Sequence, residues 1–261
     1  MGYHGAIFDV DGVLVDSPHQ RAWHETLQLL METEWRDVRS QSTYSPKRYT
    51  PAVYQEVVAG KPRLSGARAA LDYFGVPDAE RRASEGVRRT QTAAGNRVDR
   101  GGQVRGVPDA LRFILAVKGL GISVAAASSF NNAGLFLRQI RLDEFAAEQG
   151  LHYEFIEFGM TLQDIFDADM TGRDFEQGKP HPMIFLTAAE ELDVAPQECF
   201  VVEDATSGVQ AAKAGNMAAL GVARLDDEEL LRRAGADLVV TTLDDVDLDA
   251  LAAGRLEQRF R

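Results

Sequence analysis

Hydrophobic residues follow two rhythms in this chain. From residue 97 onward, short apolar runs alternate with longer amphipathic stretches. The runs 122–127, 168–171, 199–202, 218–222 and 238–240 have the length and two-sided apolarity of buried parallel strands. Between them, 108–118, 132–141, 182–192, a stretch opening at Ser207-Gly208-Val209, and 227–234 read as helices, several closed by a glycine such as Gly119 or Gly215. One more strand, 6–8, stands at the N-terminus. Residues 17–96 show only helical spacing. Ser17-Pro18 reads as an N-cap with proline at the first helical position. Trp23, Leu27, Leu30 and Met31 then recur at helical intervals, 67–75 ends on Gly75, and 79–97 is rich in Arg, Glu, Ala and Gln.

The predicted architecture is α/β, a doubly wound parallel-sheet (Rossmann-like) core with an inserted α-helical cap domain. Residues 1–16 and 97–261 form the core and 17–96 the cap. Two segments stand outside the scheme. Residues 144–164, aromatic and acidic, are expected to be a surface excursion, an interface patch or a substrate-facing loop. Residues 251–261, with Arg255, Arg259 and Arg261, are expected to be a solvated tail.

Length and charge narrow the classes of function. A chain of 261 residues suits one large domain carrying a smaller insertion. A net charge of -12 argues against nucleic acid or an anionic membrane as a partner, because the long-range field repels both. No apolar run reaches membrane-spanning length, and acids appear by position 9, so a cytoplasmic protein is expected. The single cysteine, Cys199, reads as a buried strand thiol.

Chemistry gathers where predicted strands end. Asp9 and Asp11 follow the first strand; two apart in extended chain, they point to one side, and Gly12 permits a sharp turn. Ser128-Ser129 follow the second strand, and Glu203-Asp204 follow the run 199–202. Lys179 precedes a helix start in Gly178-Lys179-Pro180-His181-Pro182. Each cluster alone is an ordinary polar turn or helix start. In a doubly wound sheet all of them meet at one edge, beyond the carboxyl ends of the strands. Carboxylates, an ammonium and hydroxyls together suit metal-assisted phosphoryl transfer: Mg2+ takes carboxylate, phosphate and water oxygens, and a carboxylate attacks phosphorus only when the phosphoryl oxygens are neutralised. His4, His24, His152 and His181 have no spacing that suggests zinc.

Four motifs in order, Asp-Val-Asp-Gly-Val at 9–13, Ala-Ser-Ser at 127–129, Gly-Lys-Pro-His-Pro at 178–182 and Val-Glu-Asp-Ala-Thr-Ser-Gly-Val at 202–209, give a specific pattern. With them the chain resembles the haloacid dehalogenase-like (HAD) superfamily of phosphotransferases, in its β-phosphoglucomutase-like branch, whose helical cap follows strand one. The resemblance implies that Asp9 is the nucleophile that becomes an aspartyl-phosphate. It implies that Asp11 is the general acid/base, with its main-chain carbonyl on Mg2+, and that Ser128, Ser129 and Lys179 hold the phosphate. Asp9, Asp11, Glu203 and Asp204 form the implied metal set, Glu203 through water. Asp11 also favours phosphate esters over halides, since a departing halide needs no acid.

In the cap, Gly60-Lys61-Pro62-Arg63 resembles the Gly-x-x-Arg element that presents an arginine to a sugar phosphate, which makes Arg63 a candidate substrate contact. His19 and, on the core side, Asn131 and Asn132 are further candidates. The chain departs from the branch at Phe130-Asn131-Asn132, where Ser-Lys-Asn is frequent, at Thr90, where the cap has a lysine (Arg88 and Arg89 are adjacent), and at Met183, where an aspartate is common. A weaker grip on a second phosphate favours a phosphatase of a small phosphorylated metabolite, with a phosphosugar mutase as the alternative. A non-catalytic scaffold on the same fold is a second alternative, opposed by the intact charged residues, which repel one another unless a cation binds.

Overall fold

The computed structural model describes residues 2–16, 19–86, 105–129 and 133–259. They belong to two compact units, Met1–Ser17 with Val104–Arg261, and Pro18–Gln103.

The first unit is built on a six-stranded sheet in the order β5-β4-β1-β6-β7-β8. Its strands are β1 (Gly5–Phe8), β4 (Ser123–Ala126), β5 (Ala168–Asp169), β6 (Cys199–Glu203), β7 (Ala218–Val222) and β8 (Leu238–Val240). Every pairing is parallel; Ile7, for instance, stands level with Ala125 on one side and Val201 on the other. The fully apolar runs are explained by cover on both faces. Ala6, Phe8, Val124, Phe200 and Leu220 pack with α6 (Pro108–Gly119), α7 (Ala133–Gln139) and α8 (Leu142–Glu148). Phe113 meets Phe8 and Phe200 edge-on at 6.1 and 6.4 Å. Ile7, Ala125, Val201 and Ala219 pack with α9 (Met183–Glu191), α10 (Thr206–Ala214) and α11 (Glu228–Ala234). The Cys199 thiol is buried in β6. The strand order reverses at β1, which has β4 and β6 as neighbours: the chain steps from β1 through β4 to β5 on one side and then returns to build β6, β7 and β8 on the other. That switch point is where a doubly wound sheet opens its crevice.

A two-stranded antiparallel ribbon, β2 (Val15–Asp16) with β3 (Arg105–Gly106), joins the chain on either side of the insertion. Two residues per strand are too few to leave a periodic signal.

The second unit contains α1 (His19–Glu32), α2 (Arg36–Arg39), α3 (Pro51–Val57), α4 (Arg63–Tyr73) and a helical stretch over residues 79–86, α5. Among its described residues there is no strand. Leu27, Leu30 and Met31 of α1 are buried with Trp35, Val53, Leu71 and Phe74, and Trp23 is partly buried against them. Thr50 caps α3 by accepting a hydrogen bond from the Val53 N–H at 3.3 Å, with proline next in the chain. Gly75, at φ +65°, ends the α4 turn as its position predicts. The Ser17-Pro18 cap and residues 87–97 lie outside the described residues.

One segment left open by the sequence is settled and one expectation is corrected. Residues 144–164, for which three alternatives stood open, are not a detached surface excursion. The first part is α8, and Phe145, Leu151, Tyr153, Phe155, Ile156 and Met160 lean on the sheet's core, leaving Phe158 99% exposed at a turn. The acidic residues face water, which made the segment read as irregular. Nor is the C-terminus a solvated tail. Leu251, in α12 (Leu248–Ala252), is fully buried. Val246 bridges to Gln258, and the Arg259 N–H reaches the Asp245 carbonyl at 2.7 Å. Arg255 stays exposed, so its charge concealed the docked backbone.

Candidate active site

The site forms where β1, β4 and β6 end. The Asp9 N–H extends the ladder to the Val202 carbonyl at 3.0 Å, so its carboxyl is delivered by the middle of the sheet, 5% exposed. Asp9 Oδ2 accepts the Asp11 N–H at 3.0 Å, a tight turn that departs from the extended geometry of the sequence reading. The turn closes when Leu14 and Val15 donate to the Val10 carbonyl, both at 2.9 Å. Gly12 sits in it at φ +87°. A Cβ there would lie 2.0 Å from Asp204 Oδ2, so the loop and the end of β6 interlock through a missing side chain.

Lys179 reaches the same place from the loop after β5, 2% exposed. Its Nζ donates to Asp9 Oδ1 at 2.6 Å, to Glu203 Oε1 at 2.5 Å and to the Ala127 carbonyl at 3.4 Å. Glu203, the last residue of β6, is fully buried, and its second oxygen accepts the Ala205 N–H at 3.1 Å. Gly208, in the first turn of α10, leaves room for it: a Cβ there would come within 1.9 Å of the carboxyl carbon. The face of the Phe185 ring lies 4.9 Å from the ammonium.

These carboxyls are crowded, with Asp9 and Glu203 buried and Asp204 partly so. Burial, above all, pushes Asp9 up to about 7; the adjoining ammonium works against this, while Glu203 and Asp11 add to it. Burial followed by the charges of Glu203, Asp9 and Asp11 lifts Asp204 well above the carboxylate range. Burial opposes the charge on Lys179, but Asp9 and Glu203 outweigh it, so its ammonium is held protonated more firmly than an ordinary lysine. Asp9, Glu203 and Asp204 each offer an oxygen within 4.8 Å of the others. An all-oxygen set, two of whose members (Asp9 and Asp204) are driven towards their neutral forms by burial, fits a hard divalent cation such as Mg2+.

The structure therefore brings together Asp9, Asp11, Lys179, Glu203 and Asp204. Ser128, buried, follows directly on the Ala127 carbonyl that Lys179 contacts, and Ser129 is next to it. Arg63 opens α4 in the other unit. The side chain of His19, and Asn131 and Asn132, lie outside the described residues. The sequence reading missed Phe185, because an aromatic on an apolar helix face reads as core, and Gly208, whose small size matters only once Glu203 is placed.

Comparison with known proteins shows the family. The haloacid dehalogenase-like hydrolase family profile matches residues 3–216. A β-phosphoglucomutase of Mycobacterium bovis is 34% identical over 255 residues, 91% of this chain and 88% of that one. A phosphorylated carbohydrates phosphatase of Thermotoga maritima is 29% identical over 236 residues, covering 90% and 92%. The crystal structure of an archaeal β-phosphoglucomutase from Pyrococcus sp. strain ST 04 superposes with a TM-score of 0.63 at 26% identity, over 96% of this chain and 99% of that one. With the motif order, the sheet and the profile in agreement, the chain is an enzyme of the haloacid dehalogenase-like hydrolase family, in its β-phosphoglucomutase-like branch.

Proposed function

We propose that the protein is a Mg2+-dependent phosphatase of small phosphomonoesters, sugar phosphates foremost, working through a phosphorylated Asp9. The observation that carries this reading is the buried contact of Asp9 with Lys179, within reach of Asp204 and beside Asp11. An Asp9 oxygen attacks phosphorus and the bond from phosphorus to the ester oxygen breaks, while Asp11, entering as the acid, gives that oxygen its proton. Water then attacks the acyl phosphate, Asp11 takes the water's proton, and phosphate leaves with Asp9 restored. Lys179 offsets charge on the transferring oxygens. Its contact to the Ala127 carbonyl, the longest at 3.4 Å, is the one a phosphoryl oxygen replaces at least cost. Ser128 and Ser129 add hydroxyl donors. Asp9, Glu203 and Asp204, with the Asp11 carbonyl, would hold Mg2+, which when bound supplies further charge neutralisation.

The departures at 130–132, Thr90 and Met183 favour the phosphatase over a mutase, which must grip a second phosphate. The mutase remains the second reading because the Mycobacterium relative bears that name. Incubation with β-glucose 1-phosphate and a trace of the bisphosphate separates them. Free phosphate as the product supports the phosphatase, and glucose 6-phosphate the mutase. Neither product, together with no hydrolysis across a panel of metabolite phosphates, leaves a binding scaffold.

A further inference from the structure

The Lys179 ammonium has three N–H donors and three acceptors: Asp9 Oδ1, Glu203 Oε1 and the Ala127 carbonyl. Beside them the ammonium also faces an aromatic ring, that of the fully buried Phe185, 4.9 Å away at the centroid. That ring is carried on the first turn of α9, fixed by the Phe185 N–H donating to the Pro182 carbonyl at 3.0 Å. Two carboxylates draw the ammonium towards themselves. The negative face of a ring attracts the same cation without accepting a hydrogen bond, so it stabilises the charge in a dry site and leaves each N–H free to change partner. A leucine at 185 would keep the position apolar and supply no such attraction.

We propose that Phe185 is a positioning residue: through its ring face it holds the Lys179 ammonium where it can exchange the Ala127 carbonyl for a phosphoryl oxygen. The proposal rests on the phosphoryl-transfer reading of the site.

The test replaces Phe185 in the full chain, by site-specific incorporation, with its mono-, di- and trifluorinated analogues. These keep the ring's shape while draining its negative face stepwise. Two quantities are read across the series, Tm and kcat/KM for a phosphomonoester with Mg2+. Both fall in step with fluorine count, kcat/KM by roughly tenfold from phenylalanine to the trifluoro ring, as expected for a desolvated cation–π contact. In a Lys179→Met background the Tm series becomes flat, which separates the cation from any general effect of fluorine. An active series whose kcat/KM ignores fluorination overturns the positioning role. A wild-type chain that hydrolyses no ester overturns the proposed function instead, and the Tm series then judges the contact alone: a stepwise fall sustains it and a flat line ends it.

Discussion

Replacing Asp9 by asparagine should make the metal-free protein more stable while abolishing turnover. Asp9 shifts from an ordinary 3.8 to about 7 because the folded site buries it among other acids. Below the lower value the carboxyl is protonated in folded and unfolded chains alike, and its titration adds nothing. As pH rises from there, the unfolded chain ionises first, so folding is progressively disfavoured until the folded carboxyl also ionises near 7. A gap of about 3 pH units at about 1.4 kcal/mol each puts the full penalty at about 4 kcal/mol. Asparagine keeps the shape and never ionises. In EDTA, urea unfolding should therefore show Asp9→Asn ahead of wild type by roughly 2 kcal/mol near pH 5 and roughly 4 kcal/mol near pH 8. Mg2+ should recover most of the deficit in wild type, since a dication makes ionised carboxylates favourable, and much less in the variant. A variant that is no more stable than wild type near pH 8 would refute the claim that Asp9 is held in the fold at an electrostatic cost.

Asp11→Ala should slow alkyl phosphates by roughly 100-fold or more and nitrophenyl phosphate far less, because only the poor leaving group needs a proton; equal losses on both substrates count against the acid role. Gly12→Ala forces a Cβ to within 2.0 Å of Asp204 Oδ2 at φ +87°. It should cost about 1–2 kcal/mol in strain and weaken the Mg2+-dependent rise in Tm, and an unchanged Mg2+ titration would show that Asp204 is free to move. Away from the site, Asp109 is pushed up by burial, but hydrogen bonds from Arg224, the Leu243 N–H and Thr242 outweigh this and lower it. Its contribution is present above the unfolded value and is lost as pH falls through the lower folded one. Asp109→Asn should cost about 2 kcal/mol at neutral pH and reduce the loss of stability on acidification below about pH 4, measured by urea midpoints; an equally steep acid loss in the variant would count against it.

Much of this site was legible because its chemistry sits at strand ends, and strand ends were readable from runs of apolar residues. The strands at 218–222 and 238–240 match the structure residue for residue, since a strand covered on both faces carries nothing but apolar side chains. Asp9, Lys179 and Glu203 were recognisable from their motifs, yet 170 residues separate Asp9 from Lys179. The sequence could imply their meeting, not which oxygen takes which N–H. Where the reading failed, the side chains and the backbone carried different information. Residues 144–164 and the C-terminal segment show charge to water while their backbone and alternate side chains pack, so composition pointed one way and position the other. Phe185 was hidden in the opposite manner: its burial is ordinary and its partner is not.

The placement of the site follows from the cost of keeping it. Asp9 and Glu203 share one ammonium, and Asp11 and Asp204 lie near enough to add to the repulsion among the acids. Such a cluster persists only where the backbone cannot relax away from it. At β5 or β8, the edge strands, one side of the ladder is unpaired, and repulsion could be relieved by local fraying. β1 is paired on both sides, its four residues are buried, and β6 is likewise held between two strands. Asp9 and Glu203 are therefore borne by the segments that cannot yield without opening the whole sheet. Stiffness at the chain's switch point makes the site possible, and under the proposed function the same stiffness would turn mutual repulsion among the acids into affinity for a cation instead of a local distortion.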